Sequence, residues 1–475
     1  MKIPFLKLAS FTLITLITAC NSSGSGSETK TLSRELSTNI TSAANGGGLE
    51  AFTMPADGDF ANIPQDPNNP ITAEKVALGQ MLYHETAVST NGNNPGRTGT
   101  WSCASCHHVA AGFKAGISQG IAEGGEGFGI DGESRVMVTG FDPDSMDLTL
   151  VPDVQPVTSP AVLNIAYQDV MLWNGAFGKT ASSINIGVTD VDNAGPADIM
   201  ANTFGLSGIE TQVLAGTKVH RLGFDSGSVL QTNTSYQSLY TAAYPSTGDE
   251  GTIPSNGTTV SLPALGAAKA IAAYERTIMA NQSPFQRWLK GDEDAMSAEQ
   301  LRGALLFFGK AGCVDCHRGP ALSSEVGATE DQVFFAIGFA DYDSNDPSIH
   351  GSVDEATSKG RGGFTGEDAD NFKFKIPQLY NLVDANVFGH GASFTSVKQV
   401  IEYKNAAVPQ KALTASAVDS RFTPLGLDSA EIDDLTTFIE SALYDSSLTR
   451  YVPTAIPTGN CFPMADSVSI TDLGC

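Results

Sequence analysis

Basic side chains are scarce in this chain: 27 Lys and Arg stand against 52 Asp and Glu, a formal charge of −25. That leaves no cationic stripe to neutralise a phosphate backbone, which excludes a nucleic-acid partner. The acidity gives a well-solvated surface and favours approach by a basic protein. Long apolar runs are missing as well. Phe11 to Ala19 is too short to span a bilayer, and nothing later is long and apolar enough to do so. With 41% apolar and 17% charged residues, the composition excludes a disordered or coiled-coil chain. Its 475 residues suffice for two or three ordinary domains.

The first residues differ from all that follow. Lys2 and Lys7 precede the run Phe11 to Ala19, the pattern of a signal peptide over residues 1–20. Ile17-Thr18-Ala19-Cys20 resembles a lipobox, in which Cys20 carries the lipid. The expectation is an exported, periplasmic protein held to a bacterial membrane only by a lipid anchor at Cys20. Residues 21–50, rich in Ser, Thr and Gly, read as a flexible tether.

Seven cysteines follow a simple arithmetic. Four form two copies of one pattern, Cys103-Ala104-Ser105-Cys106-His107 and Cys313-Val314-Asp315-Cys316-His317. This is the attachment signature of haem c. The two sulfurs add to the haem vinyl groups, and the adjacent imidazole is held beneath the ring as the iron ligand. A redox dithiol or half a zinc site would not need the histidine, and no further cysteine pair is near enough to complete a zinc tetrad. Two covalently bound haems are therefore expected. Cys461 and Cys475 are left to form a disulfide.

Helical periodicity begins at Thr72 and runs to His84. Ser297 with Gln300 makes a capping box for a second amphipathic helix through Leu301, Leu305, Leu306 and Phe307. Each helix leads into a haem motif, a weak internal repeat. Leu262 to Arg276 reads as a helix linking the two halves. Stretches 115–150, 178–206 and 224–260 lack periodicity and read as long surface insertions. Strand signals are few. The expected fold is mainly α: two cytochrome-c-like haem domains, 51–285 and 286–455, with long irregular insertions and a tail, 456–475.

Several further segments, in matching order, resemble the bacterial di-haem cytochrome c peroxidase and MauG-like family. They include Leu78-Gly79-Gln80-Met81-Leu82-Tyr83, Ser159-Pro160-Ala161-Val162-Leu163-Asn164, Leu172-Trp173-Asn174-Gly175 and Ile209-Glu210-Thr211-Gln212. Gly303 to Pro320, Phe374 to Asn381 and His390 to Tyr403 continue the series. The resemblance implies a peroxidase that reduces hydrogen peroxide with electrons from a small periplasmic donor of cytochrome c or cupredoxin type. It makes the haem on His107 the peroxide site and the haem on His317 the electron entry, with Trp173 between them. It also implies a homodimer.

The same resemblance selects site residues. A distal histidine is usual after the first motif, but Val109 to Asp131 contains none, and His108 cannot reach the opposite face of its own haem. An open iron position is therefore expected. Gln212 falls at the family's active-site glutamine. No carboxylate occupies Val219 to Leu222, so His220 as base or Arg221 as charge stabiliser takes that place, with Glu210 turned away. At the second haem the sixth ligand is a Met or Tyr in the family. Methionine is absent between Met296 and Met464, and the matching position falls on Lys404 with Tyr403 beside it. His390 matches a structural histidine. A calcium ion belongs to the family's inter-domain site, where this chain has Thr158, Ala385 and Val387 in place of the usual Asn, Thr and Pro. Two rivals remain open. One is a MauG-like oxidase using high-valent di-haem iron on another substrate. The other is a non-enzymatic electron-transfer cytochrome with both irons six-coordinate.

Overall fold

The computed structural model describes residues 25–44, 46–178, 204–253 and 260–475. Signal peptide and lipobox, and most of the 178–206 insertion, lie outside the described residues. The first part of the chain forms helices α1 (Ser25–Ala43), α2 (Ala73–His84), α3 (Gly208–Val219), α4 (Val229–Thr232), α5 (Thr234–Ala243), α6 (Leu262–Thr277) and α7 (Pro284–Leu289). The second part contributes α8 (Ala298–Phe307), α9 (Glu330–Val333), α10 (Glu355–Lys359), α11 (Arg361–Thr365), α12 (Val397–Ala406), α13 (Ser429–Thr437) and α14 (Ser467–Leu473). Among the described residues, strands occur only as three two-residue antiparallel pairs. The fold is mainly α, as expected.

Each haem motif is set by one pair of crossing helices. Thr72 caps α2 by accepting from the Lys75 amide. Ser297 and Gln300 form the expected capping box on α8. A glycine on each helix lets the backbones touch. A Cβ on Gly79 would lie 1.9 Å from the Ala270 carbonyl oxygen of α6, and one on Gly303 would lie 2.0 Å from that of Asp434 in α13. Behind each helix the chain makes a short 3-10 turn, Cys103–Ser105 or Cys313–Asp315. Later, Asn164 and Asn381 both adopt left-handed backbone and each opens another short turn. The internal repeat is therefore visible turn by turn.

Three expectations change. Residues 25–43, read as part of a flexible tether, are helix α1. Leu36 and Ile40, four residues apart, share one face and are fully buried, and the Trp288 indole donates to Ser33 at 2.9 Å. Its few apolar residues are correctly spaced, and tertiary burial outweighs the weak intrinsic propensity of Ser and Thr. The 224–260 stretch is not irregular throughout, because α5 buries Tyr236, whose hydroxyl donates to Glu85 at 2.8 Å. The 115–150 stretch is not a surface insertion along its length: Ile121, Ala122, Glu123 and Phe128 are buried.

The two ends cross over. Helix α1 packs on α8 of the second haem half. Cys461 and Cys475 form the expected disulfide. Their segment lies on the first haem half, where the Pro463 carbonyl accepts from Ser105 at 2.7 Å and Asp466 pairs with the buried Arg135 at 3.1 Å.

Candidate haem sites

At the second motif the chain leaves a cavity of about 260 Å³ lined by Cys313, Cys316, His317, Phe307, Pro377 and Lys404. Trp173 and His390 line the same cavity. The His317 Nδ1 lies 2.9 Å from the Leu322 carbonyl, which fixes Nδ1 as the protonated nitrogen and frees Nε2. Leu322 reaches this position through left-handed backbone, φ +48°. Burial pushes the His317 imidazole down to about 4, so it is neutral and has a lone pair to give a metal.

The first motif has the same plan. The Tyr83 hydroxyl donates to the His107 carbonyl at 2.6 Å. Burial, with help from the nearby His220, pushes His107 down to about 4. Its Nδ1 is buried without a partner among the described residues. A Cβ on Gly120 would come within 3.0 Å of the Cys106 sulfur. None of the four motif cysteines is in a disulfide. Burial pushes Cys106 and Cys313 up to about 12, so both side chains are protonated. Among the described residues no three His, Cys, Asp or Glu gather as a metal site. Cysteine pairs beside a neutral histidine, one set opening on an apolar cavity, fit covalent haem and do not fit zinc.

Helix α3 carries Glu210 and Gln212 and ends at His220, which lies near the first motif. Gln212 is half-buried on it. Glu210 is fully buried and paired with Arg276 at 2.7 Å, with Asn69 donating at 3.0 Å. His220 caps the helix, its amide donating to Gly216 and its carbonyl accepting from the Trp101 indole at 2.8 Å. Its Nδ1 lies 2.9 Å from the Asp153 carboxylate. Burial alone would lower the imidazole, but Asp153 overcomes it and the pKa is raised. Arg221 is engaged elsewhere, with the buried Glu123 and the carbonyls of Val151 and Pro152. Asp153 and Glu123 were missed by sequence reasoning, and no motif or periodicity in 115–153 marks them.

Trp173 donates its indole N–H to the Thr158 carbonyl at 2.9 Å, and its ring lies 6.2 Å from His390. Thr158 in turn bonds Gly389 and His390, tying the two halves together. His390 is held by Asp341 at 3.1 Å and stacked on Phe374 at 3.7 Å. The neighbours on α12 separate. The Tyr403 hydroxyl donates to the Ile337 carbonyl, and its ring packs among Phe339, Phe394 and Phe422. Lys404 instead lines the cavity at the second motif. Its ammonium makes no hydrogen bond or ion pair among the described residues and lies 5.5 Å from the centre of the Phe422 ring.

Known proteins share this plan. A family model described as di-haem cytochrome c peroxidase matches residues 73–294, which hold the first motif and the linking helix but not the second motif. The cytochrome-c peroxidase IdrP1 of Denitromonas iodatirespirans is 26% identical over 85% of this chain and 90% of its own length. The methylamine utilization protein MauG of Methylorubrum extorquens is 25% identical over 80% of this chain and 81% of its own. In fold, the chain resembles a MauG-like protein associated with microbial copper homeostasis, with a TM-score of 0.53 and 19% identity over 83% of this chain and 95% of that one. With two haem-c motifs, each on a crossed helix pair, and these relatives along most of its length, the chain is an oxidoreductase similar to the di-haem cytochrome c peroxidases and MauG proteins.

Proposed function

We propose that the chain reduces hydrogen peroxide at the first motif, Cys103–His107, with electrons entering at the second, Cys313–His317. The observation that carries this reading is the His220–Asp153 pair beside His107. Splitting peroxide needs a group that accepts a proton and returns it, and such groups contribute about 10²–10⁴-fold in rate. When bound, the haems supply iron that exchanges electrons. The protein's own share is to hold both imidazoles neutral, to offer His220 as the base and to aim the Gln212 amide as a hydrogen-bond donor to peroxide. Trp173 bridges the halves, its indole on Thr158 and its ring beside His390. The donor we assign is a small basic electron-transfer protein, matched to the net charge of −25. We place the protein in the periplasm, anchored by lipid at Cys20. No helix among the described residues is long and apolar enough to cross a membrane.

A MauG-like activity on another substrate is the second reading, and the lining of the second cavity favours it. That cavity offers the amine of Lys404 and no methionine. An amine ligand gives a lower potential than a thioether and suits a centre that stores oxidising equivalents. The test is the absorption and EPR spectrum of the ferric holoprotein before and after peroxide. A high-spin signal that responds to peroxide supports the reading. Two low-spin haems with no response, before or after half-reduction, would make this an electron carrier.

A further inference from the structure

The ring of His220 is gripped on one side by a group that no motif announces. Its Nδ1 lies 2.9 Å from Oδ2 of Asp153, whose side chain is 3% exposed. Asp153 is itself fixed. Its amide donates to the Glu123 carbonyl at 2.9 Å, its carbonyl accepts from Ala122 at 3.0 Å, and the Gln155 amide reaches its Oδ1 at 3.3 Å. The carboxylate is close enough to Cys106 to push that thiol up, and His220 is close enough to His107 to push that imidazole down. The pair therefore sits beside the first haem motif. Among the described residues the titratable groups around His220 are Asp153, its neighbour Arg221 with Glu123 behind it, and the neutral His107. Arg221 is paired with Glu123, and among the described residues only Asp153 bonds the ring.

A carboxylate only accepts hydrogen bonds, so in the neutral imidazole its partner nitrogen carries the proton and the other nitrogen keeps its lone pair. We propose that Asp153 is a positioning residue for peroxide reduction, fixing His220 in the Nδ1–H tautomer so that Nε2 receives the peroxide proton. The inference rests on the first motif being the peroxide site. The proton leaves one peroxide oxygen for Nε2 and is returned to the other as the O–O bond breaks, and that oxygen departs as water. Two electrons from the donor protein and two protons from solvent complete the reduction to a second water.

The test uses the holoprotein with Asp153→Asn, His220→Gln and the double variant. Two rates are read by stopped flow: the spectral response to peroxide, and the association of cyanide with the ferric protein. Hydrogen cyanide must also give up a proton to bind, so its rate follows the base without turnover. Haem spectrum and thermal midpoint report folding. His220→Gln is expected to slow both rates roughly 10²-fold, and Asp153→Asn roughly tenfold or more. The double variant should be no slower than His220→Gln, because Asp153 acts through that ring. Unchanged rates in Asp153→Asn, or a double variant slowed by the product of the single effects, would leave Asp153 as a residue that merely docks α3. If Asp153→Asn does not fold, nitrogen NMR of the wild-type ferrous carbonyl form decides, since a proton on Nε2 overturns the proposal and one on Nδ1 supports it. A wild type that binds cyanide but ignores peroxide would sink the peroxidase reading and leave the cyanide rates to judge Asp153.

Discussion

Replacing Gly79 by Ala adds one methyl group where α2 crosses α6. In an open helix that change stabilises by about 0.5–1 kcal/mol, because Gly loses more backbone freedom on folding. Here the new Cβ would lie 1.9 Å from the Ala270 carbonyl oxygen and 2.5 Å from its carbon, whereas ordinary contact begins near 3.4 Å. The backbones must separate by roughly 1.5 Å, and a gap of even 0.5–1 Å forfeits a quarter to a half of the dispersion well for facing atoms. Leu78, Leu82, Ala267 and Ile271, all 0% exposed, lose contact together. Overpacking costs about 1–3 kcal/mol when side chains can yield. A carbonyl in a helix cannot, so the upper end, about 3 kcal/mol, is expected, or roughly 10² in the folding constant. Guanidinium unfolding of the holoprotein, followed by circular dichroism and the haem band, measures it. Gly216→Ala on α3 is the control: its nearest neighbour is the His220 ring at 3.8 Å, and it should gain the ordinary 0.5–1 kcal/mol. A Gly79→Ala midpoint at or above wild type would refute the close crossing.

Breaking the buried Glu210–Arg276 pair from one side, by Glu210→Gln, should cost about 3–5 kcal/mol in the same assay, because the guanidinium is left buried and uncompensated. The paired replacement Glu210→Leu with Arg276→Met should cost less, and equal losses would argue against an ion pair there. At the second motif, Lys404→Ala should alter the low-spin EPR signal, whereas Tyr403→Phe should leave it unchanged, since only Lys404 lines the cavity. The opposite pattern would show that the tyrosine turns inward in the holoprotein. Asp341 gives a pH signature. Burial raises its carboxyl, but hydrogen bonds from His390, Lys411 and Ser358 outweigh this and hold it well below its usual 3.8. A lowered pKa stabilises above the unfolded value and is lost as pH falls. Asp341→Asn should therefore be less stable than wild type at neutral pH, with the two converging as pH drops below about 4. A gap that persists into acid would mean that the loss is one of packing and not of charge.

The two haem-attachment motifs are legible in the sequence alone. Cys103–His107 and Cys313–His317 are local: five consecutive residues fix two sulfurs and one imidazole whatever surrounds them, so the chemistry can be read without the fold. The capping box at Ser297, the helix at Thr72–His84 and the Cys461–Cys475 pair were legible for similar reasons, being set by neighbours in the chain or by elimination among few cysteines. Helix α1 was not, because Leu36 and Ile40 become decisive only when α8 is there to cover them. Nor was the split between Tyr403 and Lys404, since adjacent residues on a helix point about 100° apart and only the position of His317 says which one faces the cavity. Asp153 lay furthest from view. It reaches His220 across 67 residues of sequence and carries no motif. A hydrogen bond of 2.9 Å depends on where two unrelated loops are held, and only tertiary packing decides that.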